Sequence, residues 1–229
     1  MTEWRERRGV AVGDRTAIRG YAGLDGLRLV RVPLVPEIRL HLAEDAILLW
    51  ARMEAEAGTT LPAPYWASAW LGGQALARYV LDHPAVVAGR RVLDLASGSG
   101  VVAIAARLAG AAAVTANDID PYAIAAIEVN ARANAADISV SGENLLAGAG
   151  NVDAEVVLAG DLFYSRSMAE AVMPFLDRAS EGGAQVLVGD PGRADLPRGR
   201  LKLVASYGAA GVAAFADADI EQVHVLQLP

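Results

Sequence analysis

An acid and an aromatic stand three residues apart in Asp161-Leu162-Phe163-Tyr164, directly after the apolar run Val156-Val157-Leu158-Ala159-Gly160. A carboxylate can bind and align an ammonium group, and an aromatic ring can meet the same cation through its electron-rich face. The pair therefore suits chemistry on an amine, which at a reference pKa of about 10.4 for lysine arrives charged. The other reading of Asp161 is a turn or helix cap after the strand. Gly189-Asp190-Pro191-Gly192-Arg193 offers a second acid after another apolar run. There Asp190 holds substrate and Arg193 meets an acidic partner surface, or Pro and Gly simply make a turn.

A second group of residues is suited to a nucleotide-like ligand. Val92-Leu93-Asp94-Leu95-Ala96-Ser97-Gly98-Ser99-Gly100 reads as a strand, a glycine loop and the start of a helix. Gly98 and Gly100 let the backbone approach a ligand closely, and the helix N-terminus supplies free N–H groups. Asp94 precedes the glycines, where an acid suits a cationic ligand, such as the amino group of a methionine moiety, better than a pyrophosphate. Ala103 at the third position of a GxGxxG fingerprint keeps a NAD reading open, but no Ser-Tyr-Lys or His-Asp proton relay accompanies it. In Asn117-Asp118-Ile119-Asp120-Pro121, Asp118 is placed at a strand end to accept ribose hydroxyls. Asp120 is placed to cap a helix that has Pro121 in its first turn.

These residues need elements to hold them, and hydrophobic periodicity supplies a series. Strand-like runs fall at 91–96, 114–118, 138–141, 155–160 and 184–189, with helical patterns at 101–109, 121–133 and 168–178. Such alternation predicts an α/β fold, a parallel sheet with helices on both faces and the candidate acids along one edge. Residues 200–205 and 222–228 read as a closing pair of strands. Ahead of the sheet, 27–32 reads as a strand. Pro36 opens a helical pattern through Glu37, Ile38, Leu40, Leu42 and Ala43, and a second helical stretch runs over 45–56. Leu61-Pro62-Ala63-Pro64 then breaks the chain. The expected division is an N-terminal extension over 1–60, able to serve as a lid, and an α/β domain over 61–229. After the break come Tyr65-Trp66-Ala67-Ser68-Ala69-Trp70, Gly72-Gly73 and a helix to about residue 81. Four apart, Trp66 and Trp70 share a face if helical. Either one of them touches a ligand or both are core.

Composition narrows the classes. A chain of 229 residues with 54% hydrophobic and 21% charged residues can bury a sizeable core. A formal net charge of −7 argues against a nucleic-acid partner. The absence of cysteine excludes disulfides, thiolate metal sites and a cysteine nucleophile. His41, His83 and His224 lack ligand spacing, so no metal is expected. Residues 1–10 have no apolar stretch after their charges, and no run reaches the roughly 18 apolar residues of a membrane span. The expected setting is cytoplasmic.

DLASGSG, VTANDIDP and VLAGDLFY together resemble the motif set of the class I, seven-β-strand methyltransferases. More narrowly, PYWASAWLGGQALARYVLD, NDIDP, GDLFY and VGDPGR are similar to the electron transfer flavoprotein β-subunit lysine methyltransferases of family 16, as is PEIRLHL near residue 36. The likeness runs from about residue 36 to residue 193. It implies a Rossmann-like seven-stranded sheet, mostly parallel with an antiparallel closing strand, and S-adenosylmethionine as cofactor. It implies that Asp94 orients the methionine amino group, that Ala96, Gly98 and Gly100 line the cofactor by backbone, and that Asp118 holds the ribose. Asn144 and Leu145 would flank the adenine, unless they only turn into a short helix, and Trp66 or Trp70 would cover the cofactor. Asp161 and Tyr164 would receive a lysine, with the electron transfer flavoprotein β subunit as substrate. The alternative is a small-molecule, nicotinamide-like N-methyltransferase. A non-catalytic cofactor-binding module is disfavoured by the presence of the Asp161–Tyr164 element. One departure is Ala96, where the family has a glycine. Alanine fits if φ stays negative, whereas positive φ would cost about 1 kcal/mol.

Overall fold

A computed structural model describes residues 26–148, 152–209 and 220–229; the first 25 residues of the expected extension lie outside them. The chain opens with an antiparallel hairpin, β1 (Leu27–Arg31) and β2 (Arg39–Ala43), followed by helices α1 (Ala46–Ala57) and α2 (Leu71–Asp82). Then β3 (Arg91–Leu95), α3 (Val101–Leu108), β4 (Ala113–Asn117), α4 (Pro121–Ala133) and β5 (Ser139–Ser141) alternate. They are followed by β6 (Val156–Gly160), α5 (Arg166–Glu181), β7 (Gln185–Asp190), β8 (Lys202–Gly208) and β9 (Gln222–Leu228).

Seven of the strands form one sheet in the order β5-β4-β3-β6-β7-β9-β8. The first five in that order are mutually parallel, and β9 runs antiparallel to both β7 and β8. This is the predicted mostly parallel sheet with an antiparallel strand at its closing end. Alternation along the strands sorts side chains to two faces. Val92, Leu158 and Leu187 join α2 and α3 in one core, while Leu93, Val157, Val186 and Val188 join α5 in the other. The segment between β5 and β6 carries one short 3-10 turn, Leu145–Ala147. Beside it lies a cavity of about 600 Å³ lined in part by Leu93, Thr115, Asn144, Leu145 and Phe175.

The helical pattern expected from Pro36 to Ala43 is instead strand β2. Ile38 and Leu40 alternate inward and are fully buried, and the strand's outer backbone is satisfied from a helix. Asn130 Oδ1 accepts the His41 N–H at 2.7 Å. Asn134 accepts the Arg39 N–H at 2.9 Å and donates to the Arg39 carbonyl at 2.7 Å. Two asparagines one helical turn apart thus stand in for a neighbouring strand, a pairing that local periodicity does not reveal. Val32, Val35, Ile38 and Leu40 of the hairpin region belong to the same core as α2 and α3.

Helix α2 lies closest to the sheet at its first turn. A Cβ on Gly72 would fall well inside contact with the Gly189 carbonyl oxygen of β7, and a Cβ on Gly189 would collide in turn with the Gly72 carbonyl. A Cβ on Gly160 of β6 would come within 2.9 Å of Gly73 Cα. Backbone therefore rests on backbone, which only glycine permits. Helix propensity alone would make Gly72→Ala stabilising by about 1 kcal/mol. The collision reverses that sign. We expect the substitution to lower unfolding free energy by about 3 kcal/mol or more, measured by urea denaturation; an equal or higher midpoint would show that the contact is loose.

Candidate functional site

The chain leaves β3 outward to β4 and β5, then returns across the sheet to β6 and β7. Loops after β3 and β6 therefore diverge and open a crevice at the carboxyl edge. Every acid singled out from the sequence lies at that edge or just inside it.

On the β3 side, Asp94 is buried, accepting from the Ser97 hydroxyl and, at 3.0 Å, from the Ala103 N–H. Gly100, the residue before α3, has no side chain to cap the helix, so Asp94 caps it from the strand. Burial pushes the Asp94 carboxyl up to about 7, against the hydrogen bonds from Ser97 and Ala103, with the negative charge of Asp118 adding to the rise. Asp118 accepts the Gly98 N–H at 2.9 Å and the Asp120 N–H at 3.0 Å, one on each oxygen. Its carboxyl is raised by burial. Asp120 caps α4 as expected, accepting the Tyr122 N–H at 2.8 Å beside Pro121.

Ala96 is a correction to the sequence reading. Its φ is +50°, so the residue takes the left-handed conformation that a glycine would adopt without cost. The Gly98 and Gly100 φ angles are also positive, at 55° and 85°.

On the β6 side, Asp161 also has positive φ, 58°, and its N–H extends the sheet by donating to the Gly189 carbonyl at 2.8 Å. Its Oδ2 accepts the Gly73 N–H at 2.8 Å, capping α2, whose own preceding residue Trp70 makes no side-chain cap. Its Oδ1 meets an Arg193 guanidinium nitrogen at 3.2 Å. The cap reading and a charged-site reading of Asp161 thus hold together. The Arg193 guanidinium carbon lies 5.9 Å from the Trp70 ring centroid, Trp70 lies 5.9 Å from Tyr65, and Tyr65 lies 5.8 Å from Tyr164. Tyr65 and Tyr164 are about half exposed, at 54% and 48%. Burial, Tyr65 and the Asp118 charge raise the Tyr164 hydroxyl, which brings the loops after β4 and β6 into one electrostatic neighbourhood.

Trp66 and Trp70 do not share a helical face. Trp66 sits in a 3-10 turn, Tyr65–Ala67, and the backbone is extended at Ser68 and at Trp70, so the two indoles diverge. Trp66 is buried among α1 and α4 residues and stacks 6.2 Å from Tyr122. Its Cα is 3.8 Å from where a Gly98 Cβ would stand, and its Nε1 is buried without a protein hydrogen-bond partner. Asn144 caps its own 3-10 turn, accepting the Ala147 N–H at 3.3 Å, and lines the sheet-face cavity with Leu145.

Asp190 forms the turn after β7, its Oδ1 accepting the Gly192 and Arg193 N–H groups at 2.6 and 2.7 Å. Its buried Oδ2 has no partner, and burial raises its carboxyl. Sequence reasoning gave no role to Tyr65 and did not connect Arg193 to Asp161. The only local signal for Tyr65 was its place beside Trp66; none linked residues 161 and 193. Among the described residues no cluster of His, Asp and Glu could hold a metal ion, and no helix is long and apolar enough to cross a membrane.

Residues 74–182 match the family described as Ribosomal protein L11 methyltransferase (PrmA). The electron transfer flavoprotein beta subunit lysine methyltransferase of Danio rerio is 45% identical over 163 residues, 70% of this chain and 62% of that one. The homolog of that protein in Caenorhabditis elegans is 35% identical over 176 residues, 70% of this chain and 71% of that one. The match thus spans less than two thirds of the zebrafish relative's length. A crystal structure of magnesium protoporphyrin IX methyltransferase from Synechocystis PCC 6803 with bound SAM shares the fold. Its TM-score is 0.51, covering 69% of this chain and 78% of that one at 11% identity.

The burial of Asp94 has a pH signature. Its carboxyl keeps a proton to about pH 7 in the folded chain but releases it near the ordinary aspartate value of 3.8 once unfolded. Between those values the unfolded state binds fewer protons. The contribution is therefore full below about pH 4 and lost as pH rises through 7, with a limiting slope of about 1.4 kcal/mol per pH unit. Asp94→Asn mimics the protonated acid and should flatten this part of the profile. Urea midpoints from pH 4 to 8 check it; parallel profiles for the two proteins would mean that Asp94 is ionised throughout.

Proposed function

We propose that this chain, which belongs to the electron transfer flavoprotein beta subunit lysine methyltransferase family, transfers a methyl group from S-adenosylmethionine to the ε-amino group of a lysine on a partner protein. The observation that carries the reading is the Asp161 carboxylate at the end of β6, held against a cation, with the Trp70, Tyr65 and Tyr164 rings in succession beside it. That arrangement is built to receive a positive charge. Half-exposed tyrosines at its rim suit a side chain presented by a protein better than a small molecule sealed under an apolar lid.

The residues on the β3 side fit the cofactor. Gly98 and Gly100 form a positive-φ cradle, and Trp66 presents a buried indole N–H with no protein partner next to it. The nearby acids Asp94, Asp118 and Asp120 favour a ligand that carries positive charge. Bound there, S-adenosylmethionine supplies a methyl group on a sulfonium, open to in-line displacement by a neutral amine. Ala96, Gly98 and Gly100 are assigned to line it by backbone, and Asp94 to orient its amino group. Each Asp118 oxygen takes one N–H and retains acceptor capacity, which suits the two ribose hydroxyls. Asn144 and Leu145 are assigned to the adenine, at the rim of the cavity they line. Asp161 and Tyr164 align the incoming ammonium, which gives its proton to water before transfer. Most of the rate then comes from positioning.

The substrate proposed is the β subunit of electron transfer flavoprotein, as the relatives' name suggests. An acidic enzyme of net charge −7 attracts a lysine-bearing surface. Methylation would keep the lysine charge while replacing hydrogen-bond donors with apolar bulk. The cytoplasm is the compartment proposed with it.

Incubating the enzyme with labelled cofactor and purified flavoprotein, then mapping label by mass spectrometry, tests the activity. Label on β-subunit lysines supports it; label confined to small amines would favour the nicotinamide-like alternative. Asp118→Ala should weaken cofactor binding by about 1.5–3 kcal/mol, and unchanged affinity by calorimetry would remove the ribose role. Asp161→Asn tolerates positive φ and keeps an acceptor for the Gly73 N–H, but carries no charge. It should bind cofactor nearly normally while methyl transfer falls about 10- to 100-fold. Near-normal turnover would shift the amine role to Asp190.

A further inference from the structure

Asp161 divides its two oxygens between two tasks. Oδ2 is committed to the Gly73 N–H at the start of α2. Oδ1 meets the Arg193 guanidinium at 3.2 Å, over the Trp70 ring. The guanidinium is delivered by a fixed turn: Asp190 holds the Gly192 and Arg193 N–H groups, Gly192 takes φ of 91°, and Arg198 bonds the Gly192 carbonyl at 2.5 Å. The backbone of Arg193 is pinned, so its side-chain torsions are what can carry the guanidinium away. The ion pair is partly open to solvent, with side-chain exposures of 22% and 10% for Arg193 and Asp161.

We propose that Arg193 is a resident cation of the amine subsite, which an incoming ammonium must displace from Asp161 Oδ1, and so a specificity-determining residue. This rests on the amine reading of Asp161 given above. A partly buried carboxylate left without a counter-charge is costly, and the guanidinium supplies that charge while the subsite waits for substrate. Desolvation of both partners offsets much of the attraction within such a pair, which makes it displaceable by a ligand that brings more than a bare charge. A lysine side chain does so, because its aliphatic stem can lie along Trp70, Tyr65 and Tyr164. A lysine on a docked protein also arrives at high effective concentration. Free amines lack the effective concentration, and those without an alkyl stem lack both advantages, so Arg193 biases the site toward protein lysines.

The direct test uses n-butylammonium chloride as probe and needs no turnover. Its binding is followed by NMR at the Gly73 amide and the Trp70 indole, which flank Asp161 and Arg193. Arg193→Met should bind the probe about fivefold more tightly than wild type, the equivalent of roughly 1 kcal/mol. Adding Asp161→Asn should abolish that gain. Arg193→Gln should act in the same direction if the methionine variant folds poorly, and Arg193→Lys should stay near wild type. Equal or weaker probe binding in folded Arg193→Met and Arg193→Gln would overturn the proposal. With flavoprotein β subunit as acceptor, displacement predicts a lower KM at similar kcat, whereas a substrate contact or a purely structural residue would raise KM or lower kcat. If wild type methylates no protein yet the probe results hold, the activity proposed above fails and the subsite stands.

Discussion

The contact of Gly72 with Gly189 is the constraint from which the rest of the site follows. It lets the first turn of α2 lie directly on the ends of β6 and β7. That approach brings the Gly73 N–H within 2.8 Å of Asp161 and sets the preceding segment, Tyr65 to Trp70, over the carboxyl edge of the sheet. The positive end of the α2 dipole then faces Asp161. Together with the Gly73 N–H and Arg193, it surrounds this carboxylate with three favourable electrostatic partners. A side chain at either glycine would lift the helix and break all of these relations at once.

Asp94 shows the opposite environment a few residues from the same crevice. It also caps a helix, accepting from Ala103 at the start of α3, but it is buried without a cation and lies near Asp118. Two helix-capping aspartates, one per central strand, thus differ in their surroundings: Asp161 faces a guanidinium, whereas burial raises the Asp94 carboxyl and Asp118 adds to the rise. The β6 side is built to hold an anion facing a cation. The β3 side gathers anionic groups whose ionisation improves when a positive ligand arrives. Each half of the crevice is suited to a cationic group, reached from different directions.

The sheet was largely legible because buried parallel strands such as Val156–Gly160 and Gln185–Asp190 read as continuous apolar runs between turn residues. The Asp120-Pro121 cap and the glycine loop were legible because their signals are local. What failed was non-local. The β2 strand read as a helix because the edge away from β1 is completed by Asn130 and Asn134, some ninety residues away. Trp66 and Trp70 were spaced for one helix, but Trp70 precedes α2, and the turn before it sends the indoles apart. Gly72-Gly73 carries no local signal of its role, whose reason appears only when Gly189 is beneath it. Arg193 looked like a surface cation for the same reason: its partner lies thirty-two residues back in the sequence.

Strain falls where the crevice opens. Of the three non-glycine residues with positive φ among those described, Ala96 and Asp161 are the first residues after β3 and β6, the neighbouring strands at which the chain path reverses. Both strands must release the chain sharply, one toward the glycine loop and one toward the aromatic segment. A left-handed residue makes that turn at a cost of about 1–2 kcal/mol. At Asp161 the residue type softens the cost, since aspartate tolerates this conformation better than most side chains, and two side-chain bonds offset the remainder. A glutamate there would carry its carboxylate one methylene farther and lose the close fit to the Gly73 N–H. At Ala96 no side-chain bond compensates, so the strain is sustained by the structure around it: the Ser97 N–H bonded to the Asn117 carbonyl and the Gly98 N–H bonded to Asp118. The loop that faces the ligand is thus held from β4, and the acid assigned to the ribose is also the one that fixes the loop's shape.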